Sequence, residues 1–274
     1  MMIKIEIIAI GNEVLQGDVL DTNTHWLSQQ LTGLGGRVER AVIVRDDQTA
    51  IVRELKGAIE RQARLIFTTG GLGPTHDDMT LAAVAEMAGR PLQIDDQALE
   101  WVKNKYETLA QAGAVDAAAI TPPRAKMARL PQGALPLENP VGAAPGVLLA
   151  LDDTMVVSLP GVPPELKGIF EGALQPTLKA LFGESAYLEK RLMVDCQDES
   201  VLAPILAAVS ARHPEVYVKS RAKSFGPEVK FRVTLSTAGP SKPAVEQALN
   251  ETQHDLEQAL AAKNISIDEP TEPS

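Results

Sequence analysis

The chain is poor in the residues that would label it quickly. It has one cysteine in 274 residues, Cys196, which excludes an internal disulfide framework and a cysteine-rich zinc site. A small buried strand residue is the reading its surroundings favour. Aromatic residues make up 4%, so stacking surfaces for bases are scarce and the core must come from Ile, Leu, Val and Ala. Positive charge is not in excess: 26 Lys and Arg stand against 36 Asp and Glu, a formal net charge of −10. That balance speaks against broad electrostatic binding to nucleic acid or to an anionic membrane. Long apolar runs are missing too. The N-terminal "MMIKIEIIAIGNE" is too short and too interrupted for a signal peptide or a spanning helix, and a cytoplasmic protein without a membrane partner is the expectation.

What the chain does have is an alternation of short β-like and longer helical patterns. Residues 3–10, "IKIEIIAI", read as a strand buried on both faces. A helix follows at 23–33, capped by Thr22 or Asn23, with Trp26, Leu27, Gln30 and Leu31 at helical spacing. "RVERAVIV" predicts a strand, "QTAIVRELKGAIERQA" a helix and "RLIFTTG" a strand. This order implies a parallel sheet with right-handed crossovers. A long helix is expected over 95–112. Residues 121–146 are rich in proline and glycine and show little helical period, a length of irregular chain expected only where function orders it. Asp152-Asp153 reads as a hairpin turn between two β-like runs. After about 185 the pattern becomes a compact α+β unit ending near 263, and the acidic, proline-rich tail 264–274 reads as disordered.

Parallel sheets bind ligands outside the carboxyl ends of their strands. Three polar clusters fall at such ends: "GNE" at 11–13, "RDD" at 45–47 and "TTGGLGPTHDDMT" at 68–80. Gly70, Gly71 and Gly73 let successive N–H groups turn toward an anion, with hydroxyls from Thr69 and Thr75 nearby. Asp77 or Asp78 could cap the helix that follows, but a cap does not need both. Glu13, Asp46 and one of the paired aspartates make an oxygen-rich set suited to Mg²⁺, Mn²⁺ or Co²⁺. His76 reads as a solvated turn residue, and His25 and Trp26 as packing residues.

Taken together, "GNEVLQG" with "DTN", "RDD", "TTGGLGPTHDD-T", "ENPVGAAPG" and "LPGVPPEL" resemble the CinA family of competence/damage-inducible proteins. The resemblance implies a three-layer α/β/α domain of the molybdopterin-binding (MoCF) type with a mainly parallel sheet over 1–184. It also implies a smaller α+β KH-like domain over 185–263. The activity it implies is a metal-dependent nucleotide pyrophosphatase that converts ADP-ribose to AMP and ribose 5-phosphate. The alternatives are a molybdopterin-binding or molybdopterin adenylyltransferase-like protein, and a non-catalytic nucleotide-binding protein. By resemblance, Glu13, Asp46 and Asp78 would face a divalent metal and the scissile phosphate, with Asp77 assisting. Gly11, Asn12 and the 69–75 loop would hold phosphate, and Asn139, Gly142, Pro145 and Gly146 would line the nucleotide pocket. A homodimer is also implied. Many members carry a further domain that deamidates nicotinamide mononucleotide; 274 residues leave no room for it, so that activity is not carried over. One departure stands out: "KSRAKSFGPE" replaces the Ser-Tyr-Pro-like turn expected in the second domain, and Arg221 and Lys223 there read as parts of an exposed turn.

Overall fold

The computed structural model describes residues 3–183, 186–196, 198–222, 230–239 and 241–268. The chain divides into two compact units, the second made of Thr32–Gly35 and the chain from Phe182 onward. In the first unit, β1 (Lys4–Ile10), α1 (Asn12–Leu15), α2 (Thr22–Gly33), β2 (Arg37–Val44), α3 (Gln48–Glu60) and β3 (Leu65–Thr69) realise the expected alternation. There follow α4 (Thr80–Ala88), β4 (Leu92–Ile94), α5 (Asp96–Gln111), α6 (Pro122–Lys126), β5 (Arg129–Pro131) and β6 (Leu135–Leu137). The hairpin β7 (Gly146–Leu151) and β8 (Thr154–Leu159) leads to α7 (Pro163–Glu171) and α8 (Gln175–Phe182).

The main sheet has the order β2-β1-β3-β8-β7-β6. β2, β1, β3 and β8 run parallel, and β7 is antiparallel to both its neighbours. Alternation along the strands sends side chains to two helical layers. Ile8, Ile10 and Ile66 pack with Ile51, Leu55 and Val84 of α3 and α4. Phe67 points the other way, its ring 6.3 Å from that of Phe170 in α7, which also meets Trp26 of α2 edge-on at 5.1 Å. The domain is therefore a three-layer α/β/α fold with a mainly parallel sheet. Asp152-Asp153 forms the two-residue turn between β7 and β8, where Leu151 pairs with Thr154.

Several local expectations need correction. The 121–146 stretch is not irregular throughout: it holds α6, which starts on prolines suited to a first turn, and the short strands β5 and β6. These elements are too short to show a period. α2 is capped by Asp21, whose side chain accepts from the Thr24 amide at 2.9 Å, rather than by Thr22 or Asn23. His25 is exposed, so Trp26 alone of that pair packs.

The second unit consists of β9 (Ala186–Asp195), α9 (Glu199–Arg212), β10 (Tyr217–Ala222), β11 (Phe231–Gly239), α10 (Lys242–Ala261) and β12 (Ser266–Asp268). Its sheet, in the order β10-β11-β9-β12, is antiparallel at every pairing, a split β-α-β arrangement. Leu192, Val194, Val233 and Leu235 pack one sheet face against Leu202 and Val209 of α9 and Leu249 and Leu256 of α10. Cys196 is buried at the edge of this core. The unit runs past 263, because Ser266–Asp268 pairs with β9 where a tail was expected; residues 269–274 lie outside the described chain. Arg221 belongs to β10 rather than to a turn, and Lys223 lies outside the described residues.

Candidate anion-binding site

The carboxyl ends of β1, β2, β3 and β8 lie side by side, which brings the three polar clusters to one edge. The contacts between them are specific. The Gly11 amide donates to Val44 O at 3.1 Å and the Gly70 amide to Leu159 O at 2.9 Å. The Asn12 amide donates to Asp46 Oδ2 at 2.8 Å, tying the end of β1 to the end of β2. Asp47 does different work: its side chain caps α3 by accepting from the Ala50 amide at 2.8 Å. Of the adjacent aspartates, one starts a helix and the other faces the sheet edge.

The glycines of the next loop are required by close approach. Gly70 has φ +99°, and a Cβ there would lie 2.2 Å from Ile10 O. Gly71 has φ +67°, and its Cβ would meet Thr80 Oγ1 at 2.3 Å. That hydroxyl donates to Gly70 O at 2.7 Å, while the Thr80 amide donates to Gly71 O at 3.2 Å. The loop is thus pinned by its carbonyls. The amides of Gly71, Leu72 and Gly73 donate to no acceptor among the described residues. Successive amides without a protein acceptor next to the first turn of α4 are backbone donors of the kind that suits an anion.

Neither paired aspartate caps α4. The helix starts at Thr80 behind Met79, with no side-chain cap. Asp78 Oδ2 instead accepts from the Thr75 amide at 2.8 Å and lies 2.6 Å from Thr75 Oγ1. Gly73 is where this carboxylate comes closest, since a Cβ there would sit 2.6 Å from Asp78 Oδ2. Asp77 shares the same Thr75 hydroxyl, which has one proton and serves one carboxylate at a time. The hydrogen bond from Thr75 is the main cause that holds the Asp77 carboxyl below its ordinary range. His76 is 98% exposed, 3.9 Å from Asp77.

Lys126, at the end of α6, closes the loop from the other side. Its Nζ donates to Thr75 O, and to Asp78 O at 2.5 Å. Burial holds this ammonium below its ordinary value, against the raising pull of Asp78 and Asp77. The sequence reading missed Lys126 because it lies far along the chain in a segment without period. It also missed Asn23, whose Nδ2 donates to Gly161 O at 2.7 Å while its Oδ1 is buried without a partner. Gly161 stacks on Gly70, its Cβ position 3.4 Å from Gly70 Cα.

The second predicted group has a structural task. Asn139 Nδ2 donates to Ala144 O at 2.8 Å and Glu165 Oε2 at 2.6 Å, while its Oδ1 accepts from the amides of Val141 and Gly142. Gly142 is small because Glu165 lies on it, 2.0 Å from a would-be Cβ. Asn139, Gly142 and Pro145 border a cavity of about 200 Å³ with Trp101, Asn104 and Lys105 of α5. Gly146 lies outside that lining and packs against Ile169.

The expected metal set is not assembled. Among the described residues no group of three or more His, Cys, Asp or Glu side chains is arranged to hold an ion. Asp46 and Asp78 hold backbone amides, and the Glu13 carboxylate folds over Gly11, 2.4 Å from a would-be Cβ. The three carboxylates as placed do not fit a common divalent ion, so no chemical step is assigned to one.

The family model described as "Probable molybdopterin binding domain" matches residues 6–180, the stretch that contains the whole of this edge. The chain belongs to the molybdopterin-binding MoCF family. This MoCF chain is also similar to a crystal structure from Thermoplasma acidophilum, described as CinA with unknown function. The two are 37% identical with a TM-score of 0.58, over 64% of this chain and 98% of that one. A protein of Aeropyrum pernix is 44% identical over 246 residues, covering 89% of this chain and 88% of its own. One from Pyrobaculum calidifontis is 37% identical over 258 residues, covering 94% and 95%. Matches of that length take in the second unit as well as the MoCF domain. Among the described residues no helix is long and apolar enough to cross a membrane.

Proposed function

We propose that the MoCF domain binds a phosphate-bearing molybdopterin at the Gly70–Gly73 loop. The observation that carries this reading is the run of three amides, Gly71 to Gly73, with no protein acceptor beside the start of α4. Their partial positive charge favours an anion. Lys126 offsets part of the field of Asp77 and Asp78, and the match to a probable molybdopterin binding domain supports the pterin. The test is equilibrium titration of molybdopterin into the wild type and Gly71→Ala, followed by ligand fluorescence. Saturable binding that weakens at least about tenfold in the variant is expected, the scale of losing about one charge-assisted hydrogen bond. Equal binding by both proteins contradicts the reading.

A second reading is favoured by the wording of the loop. "TTGGLGPTHDD-T" resembles the CinA loop, and that resemblance implies ADP-ribose as a substrate hydrolysed to AMP and ribose 5-phosphate. Release of AMP from ADP-ribose, followed with and without added Mg²⁺, Mn²⁺ or Co²⁺, tests it. Turnover that Asp78→Asn abolishes supports hydrolysis; no AMP under any of these conditions removes it and leaves the binding reading intact.

A further inference from the structure

The second unit covers one face of its sheet with α9 and α10 and leaves the other open. Side chains alternate across a strand, so Lys190, Leu192 and Val194 face the helices while Tyr187, Arg191 and Met193 face outward. The pairing carries this outward set across the sheet. Tyr217 stands opposite Ser236, Lys219 opposite Thr234, and Arg221 opposite Arg232; Thr234 is in turn opposite Arg191. Tyr217 is 62% exposed, and Lys219, Arg221 and Arg232 are all exposed.

Charge on this face is not balanced. Two carboxylates share the outward positions of β9: Glu189, which pairs with Arg191 at 2.5 Å, and exposed Asp195; Lys219, Arg221 and Arg232 have no carboxylate partner among the described residues. Arg221 directly opposite Arg232 is a like-charge pair, which destabilises an antiparallel sheet. Three cations without a carboxylate partner among the described residues and an exposed ring thus occupy adjacent positions on β10 and β11, in a chain whose net charge is −10. An anion laid across the strands relieves the Arg221–Arg232 repulsion, and a planar group satisfies the ring.

We propose that this sheet face binds single-stranded nucleic acid, with Tyr217 stacking a base and Lys219, Arg221 and Arg232 contacting phosphates. The chemistry selects the occupant. An open four-stranded sheet offers bases a flat platform, while cations at intervals of roughly 7 Å along a strand follow a backbone. Bases in a duplex are already stacked and closed to Tyr217. A membrane surface would use the cations and leave the ring idle.

The test is fluorescence anisotropy with the full chain and labelled oligo-uridylate, oligo-thymidylate, a duplex of the same length and polyglutamate. Binding of one or both single strands is expected, with weaker binding of the duplex. Three phosphate contacts predict a slope of log K against log salt near −2 for single strands, from about −0.7 per contact. Tyr217→Ala is expected to weaken binding about tenfold or more, the scale of one lost base–aromatic stack. Arg232→Gln should weaken binding and bring the slope closer to zero by about 0.7. Circular dichroism of each variant confirms the fold, and Arg221→Gln serves in place of Arg232→Gln if the latter misfolds. No binding at about 50 mM salt overturns the proposal, as does binding unchanged in folded Tyr217→Ala and Arg232→Gln. Polyglutamate bound as tightly as the oligonucleotides, with no effect of Tyr217→Ala, also overturns it and marks an acidic-protein surface instead.

Discussion

Two pairs of adjacent aspartates follow β2 and β3, the parallel strands that flank β1, and each pair divides its labour differently. In Asp46-Asp47 the second residue caps α3 and the first clasps the Asn12 amide across to β1. In Asp77-Asp78 neither residue caps anything: Asp78 draws Thr75 back to close the loop, and Asp77 shares the same hydroxyl while remaining exposed. Where a helix follows directly, as α3 follows Asp47, one carboxylate is committed to its start. Where α4 begins later and is anchored by the Thr80–Gly71 contacts, the carboxylates shape the loop ahead of it. The difference teaches that Asp-Asp at a strand end does not by itself denote a metal ligand or a cap.

The comparison can be broken or sharpened by substitution. The largest effect is expected at Gly70, on which the Asp77-Asp78 side depends. Alanine there needs φ +99° and a Cβ 2.2 Å from Ile10 O, so Gly70→Ala should lose about 3 kcal/mol or more in urea unfolding, the sum of backbone strain and a displaced strand end. Next comes Asp78→Ala, which frees the Thr75 amide and should cost about 1–2 kcal/mol together with anion affinity. A variant that kept its affinity would show that the loop holds its shape without the clasp. Asp47→Ala removes a helix cap and should cost about 1 kcal/mol while leaving anion affinity unchanged, the inverse of the Asp78 result.

The smallest effect is acid sensitivity at Asp77. Its folded pKa is depressed, chiefly by the Thr75 hydroxyl, so its contribution is present above the ordinary carboxylate value near 3.8. That contribution is lost as pH falls through the lower folded value. Asp77→Asn should therefore flatten the stability profile in that acid window and lower stability slightly at neutral pH, where the contribution is fully present. An unchanged profile would remove the Thr75–Asp77 bond from the account.

The sheet and its edge were legible because strands buried on both faces read as apolar runs and alternate with helices of clear period. Placing the three polar clusters together followed from topology alone. The roles within them did not follow, because Asp46 and Asp47 are chemically identical neighbours and only the path of the chain decides which one meets the Ala50 amide. Lys126 and Asn23 reach the site through long-range packing that no local spacing encodes. Asn139 borders a small cavity while its side chain also bonds Ala144, Glu165 and the amides of Val141 and Gly142, a bracing task that no spacing in the motif encodes. β12 was hidden by three residues next to an acidic, proline-rich end.

The central claim is that Gly71, Leu72 and Gly73 present their amides to a phosphate. Backbone ¹H–¹⁵N spectra of the labelled full chain during titration with inorganic pyrophosphate test it most directly. The account predicts saturable downfield proton shifts at Gly71, Leu72 and Gly73 that exceed those elsewhere and are lost in Asp78→Ala. Unmoved resonances at these three residues, with saturable shifts at other amides, would contradict it.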